Sequence, residues 1–210
     1  MTEKVNIPEI SQKHLHGIKD LTVDDINKIL ELSNFFKLNN REKDKNYPIL
    51  KGRTIINLFF EPSTRTLISF EIAAKRLGAD VINMNIEGSS LRKGESLQDT
   101  AHTLGAMNPD LVIIRHGIDN ATEQISEILS CPVINAGEGV NEHPTQALLD
   151  AYTIINNERN LENITVAICG DLEHSRVARS NYYLLKKMKS NVRFVYPEFF
   201  KPKDLDKYDV

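Results

Sequence analysis

Residues 54–66 of the chain are TIINLFFEPSTRT. The first part of this stretch, residues 54–60, is largely apolar, which is typical of a strand that is buried in a parallel sheet. After Glu61 and Pro62 come four residues with hydroxyl or guanidinium groups: Ser63, Thr64, Arg65 and Thr66. A helical pattern follows and ends at Gly78, a residue type that often follows a helix. The stretch therefore predicts a strand, a turn and a helix of an α/β fold.

The start of this predicted helix favours an anion. A helix N-terminus carries unpaired backbone N–H groups and a partial positive charge. Hydroxyl groups and a guanidinium at the same place add donors that suit the oxygens of a phosphate. Taken alone, residues 63–66 are also consistent with a Ser or Thr N-cap beside a solvated arginine.

Further apolar runs repeat the pattern of a strand followed by polar residues, and most are then followed by a helical pattern. With the first, the runs are 55–60, 81–84, 111–114, 133–134, 164–169 and 192–196. Such alternation predicts an α/β fold with parallel sheets that are flanked by helices. An amphipathic pattern from Val23 to Leu38, with Thr22 as its N-cap, predicts one more helix before the first strand.

The expected organisation is two domains, of which the second is incomplete. Residues 1–143 would form the first domain, residues 144–159 an interdomain helix and connector, and residues 160–210 a part of the second domain. Only two strand candidates follow the connector, whereas an α/β domain usually needs about a hundred residues. We therefore expect the chain to stop inside its second domain.

The composition is that of a soluble globular protein. The 210 residues are 40% hydrophobic and 26% charged, with a net charge of -3. This balance, without runs of Lys and Arg, predicts no nucleic-acid partner. The absence of a long apolar stretch predicts no membrane insertion, and a cytoplasmic protein is expected. Cys131 and Cys169 lie beside or within apolar runs, so we expect both to be buried, reduced thiols.

Several common site motifs are absent from the sequence. There is no G-x-x-x-x-G-K-[ST] of a nucleoside-triphosphate site, and no G-x-S-x-G of an α/β-hydrolase. Only Gly170 follows the run 164–169, where a dinucleotide fingerprint needs three glycines. His14 and His16 have no nearby carboxylates, and we expect neither a metal nor an organic cofactor.

Anion-binding side chains follow the predicted strands, and ligands of parallel sheets bind at this carboxyl edge. Beyond residues 63–66, the candidates are Ser89, Lys93, Arg115, His143, Gln146 and Arg176. Each has an ordinary alternative: the arginines as surface residues, the histidine as a helix cap, and residues 89–96 as a polar loop. Because donors of the same type follow five strand ends, the sequence predicts one anion site at that edge.

The sequence resembles the aspartate and ornithine carbamoyltransferase family from about His14 to its end. Six motifs occur in the family's order: residues 59–66 with 69–71, 89–100, 115–116, 135–137, 143–146 and 170–181. Lys93, Thr145 and the HSRVARSN stretch resemble the aspartate branch more than the ornithine branch. The resemblance implies transfer of the carbamoyl group of carbamoyl phosphate to the amine of L-aspartate, an early step of pyrimidine synthesis.

The resemblance also implies a role for each candidate residue. Four residues would hold the phosphate: Ser63, Thr64, Arg65 and Thr66. Thr66, Arg115 and His143 would converge on the carbonyl oxygen, where negative charge grows as the amine attacks. Gln146 would hold the carbamoyl amide nitrogen and so exclude acyl phosphates that lack it. No covalent intermediate is required.

The remaining implied contacts concern aspartate and a second subunit. Lys93 and Arg176 would bind the aspartate carboxylates. The loop with Ser89 and Lys93 would reach into a neighbouring subunit, which implies a homotrimer with shared active sites.

The chain departs from the family pattern in two ways. Leu67 stands where the family commonly has an arginine, and the family's later aspartate-binding loop and terminal helix lie beyond residue 210. We expect a fragment of this length to turn over poorly. Two alternatives stay open: transfer of the carbamoyl group to ornithine or another amino acceptor, and a non-catalytic carbamoyl-phosphate-binding subunit.

Overall fold

The computed structural model describes residues 5–40, 42, 44–85, 96–158 and 160–210. Strands and helices alternate along the chain, as predicted. The strands are β1 (Thr54–Phe59), β2 (Asp80–Asn85), β3 (Leu111–His116), β4 (Val133–Glu138), β5 (Thr165–Cys169) and β6 (Asn191–Val195). The helices are α1 (Val23–Asn39), α2 (Thr64–Arg76), α3 (Leu97–Ala106), α4 (Ala121–Ile128), α5 (Pro144–Glu158) and α6 (Arg176–Lys187). The predicted fold class and all six predicted strands are confirmed.

Four strands form a parallel sheet in the order β2-β1-β3-β4. The chain passes from β1 to β2 on one side, and β3 then lies on the other side of β1. The carboxyl ends of β1 and β3 therefore flank the point at which the strand order reverses, where open parallel sheets form ligand crevices. Strands β5 and β6 form a second, parallel pair.

Alternate residues of the strands supply the two apolar faces of the four-stranded sheet. Ile56 and Leu58 pack into a cluster with α3 and α4. Ile55 and Phe59 belong to the opposite cluster, against which α2 packs. The buried strands thus hold the carboxyl edge of the sheet in place from both sides.

A third apolar cluster joins the beginning of the chain to its end. Its buried members are Ile18, Leu21, Ile26, Leu30, Ala147, Leu148, Ala151, Leu161, Tyr182, Leu184, Leu185, Val192 and Tyr208. The first helix therefore shares a core with α5, α6 and β6. The predicted boundary at residues 144–159 does not interrupt this core, and α5 contributes to it directly.

Helix α1 begins as predicted. Thr22 Oγ1 accepts a hydrogen bond from the Asp25 N–H, and the Asp25 carboxylate accepts one from the Thr22 N–H. This reciprocal capping box satisfies two backbone donors that a helix start would otherwise leave unpaired.

The two cysteines differ in exposure. Cys131 is buried, as expected, but Cys169 is exposed, so the prediction for Cys169 is wrong. The apolar run 164–169 lies in β5, whose residues alternate between exposed and half-buried. One face of the β5–β6 pair packs on α6 while the other is open in the described chain, and Cys169 lies on the open face. None of the helices in the described ranges is long and apolar enough to cross a membrane.

Candidate functional site

The N-terminus of α2 is left open by its own capping residue. Thr22, Ser96 and Ser175 each accept a hydrogen bond from a first-turn N–H of the helix that follows. Ser63, the N-cap of α2, makes no such bond, and its hydroxyl donates instead to Thr66 Oγ1 at 3.0 Å. The simple N-cap interpretation of residues 63–66 therefore does not describe this helix start. No side chain among the described residues caps its first-turn backbone donors, which can therefore bind an anion.

A β-bulge shapes the neighbouring part of the site. Ile114 pairs with Asn135 but His116 pairs with Glu138, so β4 has one extra residue opposite Arg115. Gly137 lies in this bulge at a φ of +109°, a conformation that side chains with a Cβ rarely adopt. The Asn135 side chain fixes it by accepting a hydrogen bond from the Gly137 N–H at 2.7 Å.

Three predicted site residues converge on Gly137. A Cβ at this position would lie 2.8 Å from Arg115 Nη1, 3.2 Å from Arg176 Nε and 3.2 Å from His143 Cδ2. These side chains come from the end of β3, the first turn of α6 and the residue before α5. The structure thus brings Arg115, His143 and Arg176 together, and only glycine leaves room for all three.

A carboxylate that was not among the predicted site residues bridges the two arginines. Glu61 Oε2 accepts a hydrogen bond from Arg176 Nη2 at 2.9 Å and lies 3.5 Å from Arg115 Nε. Glu61 follows β1 and precedes residues 63–66, so it links the start of α2 to the arginine pair. The sequence offers one indication of this role, which is the position of Glu61 inside the motif at residues 59–66. A carboxylate there would oppose anion binding unless cationic side chains surround it.

The arginine pair is partly withdrawn from water. The side chain of Arg115 is 13% exposed and that of Arg176 is 17% exposed. Burial and the charge of Arg176 lower the pKa of Arg115, while Glu61 raises it. Arg115 Nη1 donates to the Ala136 carbonyl and Arg176 Nη1 to that of Gly139. The remaining N–H groups supply charged donors in a region of weak solvent screening.

His143 is a neutral side chain at ordinary pH. Burial, together with the charges of Arg115 and Arg176, lowers its pKa to about 4. A neutral imidazole donates from one ring nitrogen only and accepts at the other. His143 therefore presents one donor without adding charge.

The backbone of His143 is anchored by a buried network. The His143 N–H donates to Ser180 Oγ at 2.8 Å, and Ser180 Oγ donates to Glu142 Oε2 at 2.9 Å. The same carboxylate oxygen accepts from the Ile18 N–H at 2.7 Å. Burial raises the pKa of Glu142. These bonds tie α6 and the N-terminal segment to the residue that precedes α5.

Gln146 lies one turn beyond His143 on α5. Its backbone N–H donates to the His143 carbonyl at 3.1 Å, and its side-chain Nε2 donates to Asp150 Oδ1 at 2.9 Å. Asp150 Oδ2 also accepts from Asn181 Nδ2 at 2.7 Å, so a carboxylate connects α5 to α6. Asp150 and Asn181 were not predicted as site residues.

The other predicted residues are placed less completely. Thr64 and Arg65 are exposed at the start of α2, and within the described ranges the Arg65 guanidinium makes no ion pair. The predictions for Ser89 and Lys93 fall outside the described residues. No cluster of three His, Cys, Asp or Glu side chains that could hold a metal ion occurs in the part of the chain that is described.

The arrangement is suited to binding a tetrahedral anion that carries a carbonyl. The free N–H groups of α2 and two guanidinium groups supply donors, and the imidazole of His143 adds a neutral one. Donors that are fixed before a reaction begins stabilise an oxyanion without further reorganisation. Such a site can accelerate attack on a carbonyl by positioning and electrostatics.

Comparisons with known proteins agree with this chemistry. Residues 13–156 match the profile of a family described as aspartate/ornithine carbamoyltransferase, carbamoyl-P binding domain. A relative from Pelagibacter ubique, named aspartate carbamoyltransferase catalytic subunit, is 53% identical over 211 aligned positions, which cover 100% of this chain and 67% of the relative.

Solved structures show the same similarity. The Trypanosoma cruzi aspartate transcarbamoylase in complex with carbamoyl phosphate and aspartate is 34% identical, with a TM-score of 0.85 over 93% of this chain and 62% of that one. An ornithine carbamoyltransferase from Pyrococcus furiosus is 31% identical, with a TM-score of 0.82 over 91% of this chain and 60% of that one. The chain spans about two thirds of the length of the proteins that it matches.

Proposed function

The chain belongs to the aspartate/ornithine carbamoyltransferase family, and on this premise we propose that the protein transfers the carbamoyl group of carbamoyl phosphate to L-aspartate. The products are N-carbamoyl-L-aspartate and phosphate, as in pyrimidine biosynthesis. The observation that carries the proposal is the convergence of Arg115, His143 and Arg176 on Gly137, next to an uncapped helix start. The 53% identity to a relative with this name supports aspartate as the acceptor.

The roles in the proposed reaction follow from these donors. The start of α2, with Ser63, Thr64, Arg65 and Thr66, holds the phosphate. Thr66, Arg115 and neutral His143 donate to the carbonyl oxygen, and the N–H groups stabilise the charge that grows there. Gln146 accepts from the carbamoyl amide. Positioning the amine against an activated carbonyl supplies much of the acceleration.

Arg176 and Lys93 bind the carboxylates of aspartate in this proposal. Arg176 Nη2 donates to the carboxylate of Glu61 at 2.9 Å, and this contact supports a carboxylate-binding role for its guanidinium. Hydrogen bonds to charged groups are worth about 1.5–3 kcal/mol, so Arg176→Ala should raise the KM for aspartate by about 10- to 100-fold. Arg193→Ala removes an exposed guanidinium on β6 and is the matched control.

The test is an assay of carbamoyl-amino-acid and phosphate production with the protein as its gene encodes it. Aspartate and ornithine are offered side by side. We expect product with aspartate alone. Product with ornithine alone would mean that ornithine, and not aspartate, is the acceptor. Binding of carbamoyl phosphate in a calorimeter without product from either acceptor would support a non-catalytic binding subunit instead.

The proposal includes a homotrimer with shared active sites. Strand β2 is an edge of the described sheet, and three apolar side chains near it are exposed: Ile68, Ile72 and Ile82. An unpaired edge beside apolar side chains is a surface that proteins usually cover. Light scattering should give three times the chain mass, and Ile72→Glu should lower it; a monomeric wild type would contradict this proposal.

Sharing of the sites is tested by mixing two inactive variants, Arg65→Ala and Lys93→Ala. An intact site needs Arg65 from one subunit and Lys93 from the next, so equal mixing should restore about a quarter of the sites. Assembled mixtures without activity would rule out sharing.

The proposal also keeps the predicted cytoplasmic location, which fractionation of the source cells would check.

A further inference from the structure

One carboxylate fixes the orientation of the Gln146 side chain. Gln146 Nε2 donates to Asp150 Oδ1 at 2.9 Å, four residues further along α5. An ionised carboxylate accepts hydrogen bonds and donates none, so only the NH2 end of the carboxamide can face it. The assignment of the oxygen and the nitrogen of Gln146 therefore follows from the chemistry of its partner. Gln146 Oε1 is turned away from Asp150.

Asp150 is itself held from the neighbouring helix. Its second oxygen, Oδ2, accepts from Asn181 Nδ2 at 2.7 Å. The two amide donors occupy both carboxylate oxygens, and all three side chains are half-buried. Because α6 also carries Arg176 at its start, the element that brings Arg176 to the site supports Asp150 as well.

Gln146 follows His143 by three residues at the start of α5, next to one of the converging donors. Residues three apart share a face of a helix, and the Gln146 N–H donates to the His143 carbonyl at 3.1 Å. His143 reaches the position next to Gly137, where Arg115 and Arg176 also lie. Among the residues that the structure describes, none donates to Gln146 Oε1. Gln146 Oε1 is therefore an acceptor without a partner among the described residues.

We propose that Asp150 is a positioning residue that sets the specificity of the site for a carbamoyl group. By fixing the Gln146 carboxamide, it leaves Oε1 free to accept a hydrogen bond from the NH2 group of the substrate. An acyl phosphate with a methyl group at that place offers no donor, and Gln146 Oε1 is then desolvated without a partner. This inference rests on the proposed function, because it takes carbamoyl phosphate as the ligand.

The test compares two stable ligands that differ at one group. Phosphonoacetamide carries NH2 where phosphonoacetone carries CH3, and calorimetry gives the dissociation constant of each. The amide ligand can donate a hydrogen bond to Gln146 Oε1, whereas the methyl ketone leaves this oxygen without a partner. We expect this difference to give the wild type about a tenfold preference for the amide. Asp150→Asn keeps the shape of the side chain but can donate to Gln146, so the carboxamide is free to turn round. We expect the preference to fall below about twofold, mainly by weaker binding of phosphonoacetamide.

Further variants distinguish positioning from a structural role. Thr153→Ala, on the exposed side of α5, is the matched control and should keep the preference. In a Gln146→Ala background, Asp150→Asn should have no further effect on the preference, because Asp150 acts through Gln146. Asn181→Ala retains the carboxylate but removes its support, and a partial loss is expected; this variant also serves if Asp150→Asn melts too early.

The outcomes separate this inference from the proposed function. An unchanged preference in folded Asp150→Asn, or an equal weakening of both ligands, would overturn the role of Asp150. A wild type without a preference would overturn it as well. A wild type that prefers the amide but makes no product from carbamoyl phosphate and aspartate would overturn the proposed reaction and leave the role of Asp150 standing.

Discussion

Replacing Gly137 by alanine tests the geometry of the site most directly. At a φ of +109°, a residue with a Cβ is strained, which costs about 1–3 kcal/mol. For a chain of this size each kcal/mol lowers Tm by about 2–4 °C. The new methyl group would also lie 2.8 Å from Arg115 Nη1 and 3.2 Å from both Arg176 Nε and His143 Cδ2. All three side chains must then shift.

The shift should be more costly for activity than for stability. A displacement of about 1 Å in a reacting group can cost about 100-fold in rate, so we expect kcat/KM to fall by about 10- to 100-fold. Gly52→Ala is the control: Gly52 also has a positive φ, of +78°, but a Cβ there meets no atom within 4 Å. Gly52 precedes β1 and so lies near the amino ends of the strands, whereas the site lies at their carboxyl ends.

The assay combines thermal melting with steady-state kinetics on both variants. Both should lose stability, but only Gly137→Ala should lose activity. Full activity in a folded Gly137→Ala variant would refute the view that the two arginines and the imidazole act from fixed positions around this glycine.

Three further predictions concern titration, thiols and capping. The pKa of His143 falls from 6.5 in the unfolded chain to about 4, so the unfolded state binds the proton first and stability falls as the pH drops through this window. The expected loss in the free energy of unfolding is about 3 kcal/mol, and urea unfolding of His143→Gln should not show this dependence on pH. In the native 210-residue chain, Cys169 should react rapidly with a thiol reagent and Cys131 only after unfolding; two fast thiols would contradict the burial. Thr22→Ala should destabilise the protein by about 1 kcal/mol in urea titrations, and an unchanged midpoint would show that the capping box is not needed.

The sequence predicts the strands well because their apolar runs are local features. The strand ends are predicted less accurately. Backbone pairing extends β3 to His116 and β4 to Glu138, although these residues are polar. The exposure of Cys169 was mispredicted for a related reason. Whether a strand face is covered depends on which elements pack on it, and an apolar run does not contain that information.

The site was predicted in part for similar reasons. Motifs at strand ends predicted Arg115, His143 and Arg176, and the structure brings these three side chains together. The comparisons confirm the family to which those motifs pointed. The bridge from Glu61 and the support of Gln146 by Asp150 arise only when distant segments meet. No periodicity or spacing along the chain encodes such pairs, so they became visible only in three dimensions.

The core that α1 shares with α5 and α6 has a consequence for synthesis on the ribosome. Helix α1 packs its apolar face on residues of α5 and α6, which are translated long after it. At about 5–20 residues per second, the nascent N-terminal segment waits on the order of ten seconds for these partners. During that interval its leucines and isoleucines are exposed, so a chaperone that binds nascent chains should associate with this helix first and leave once α6 has emerged.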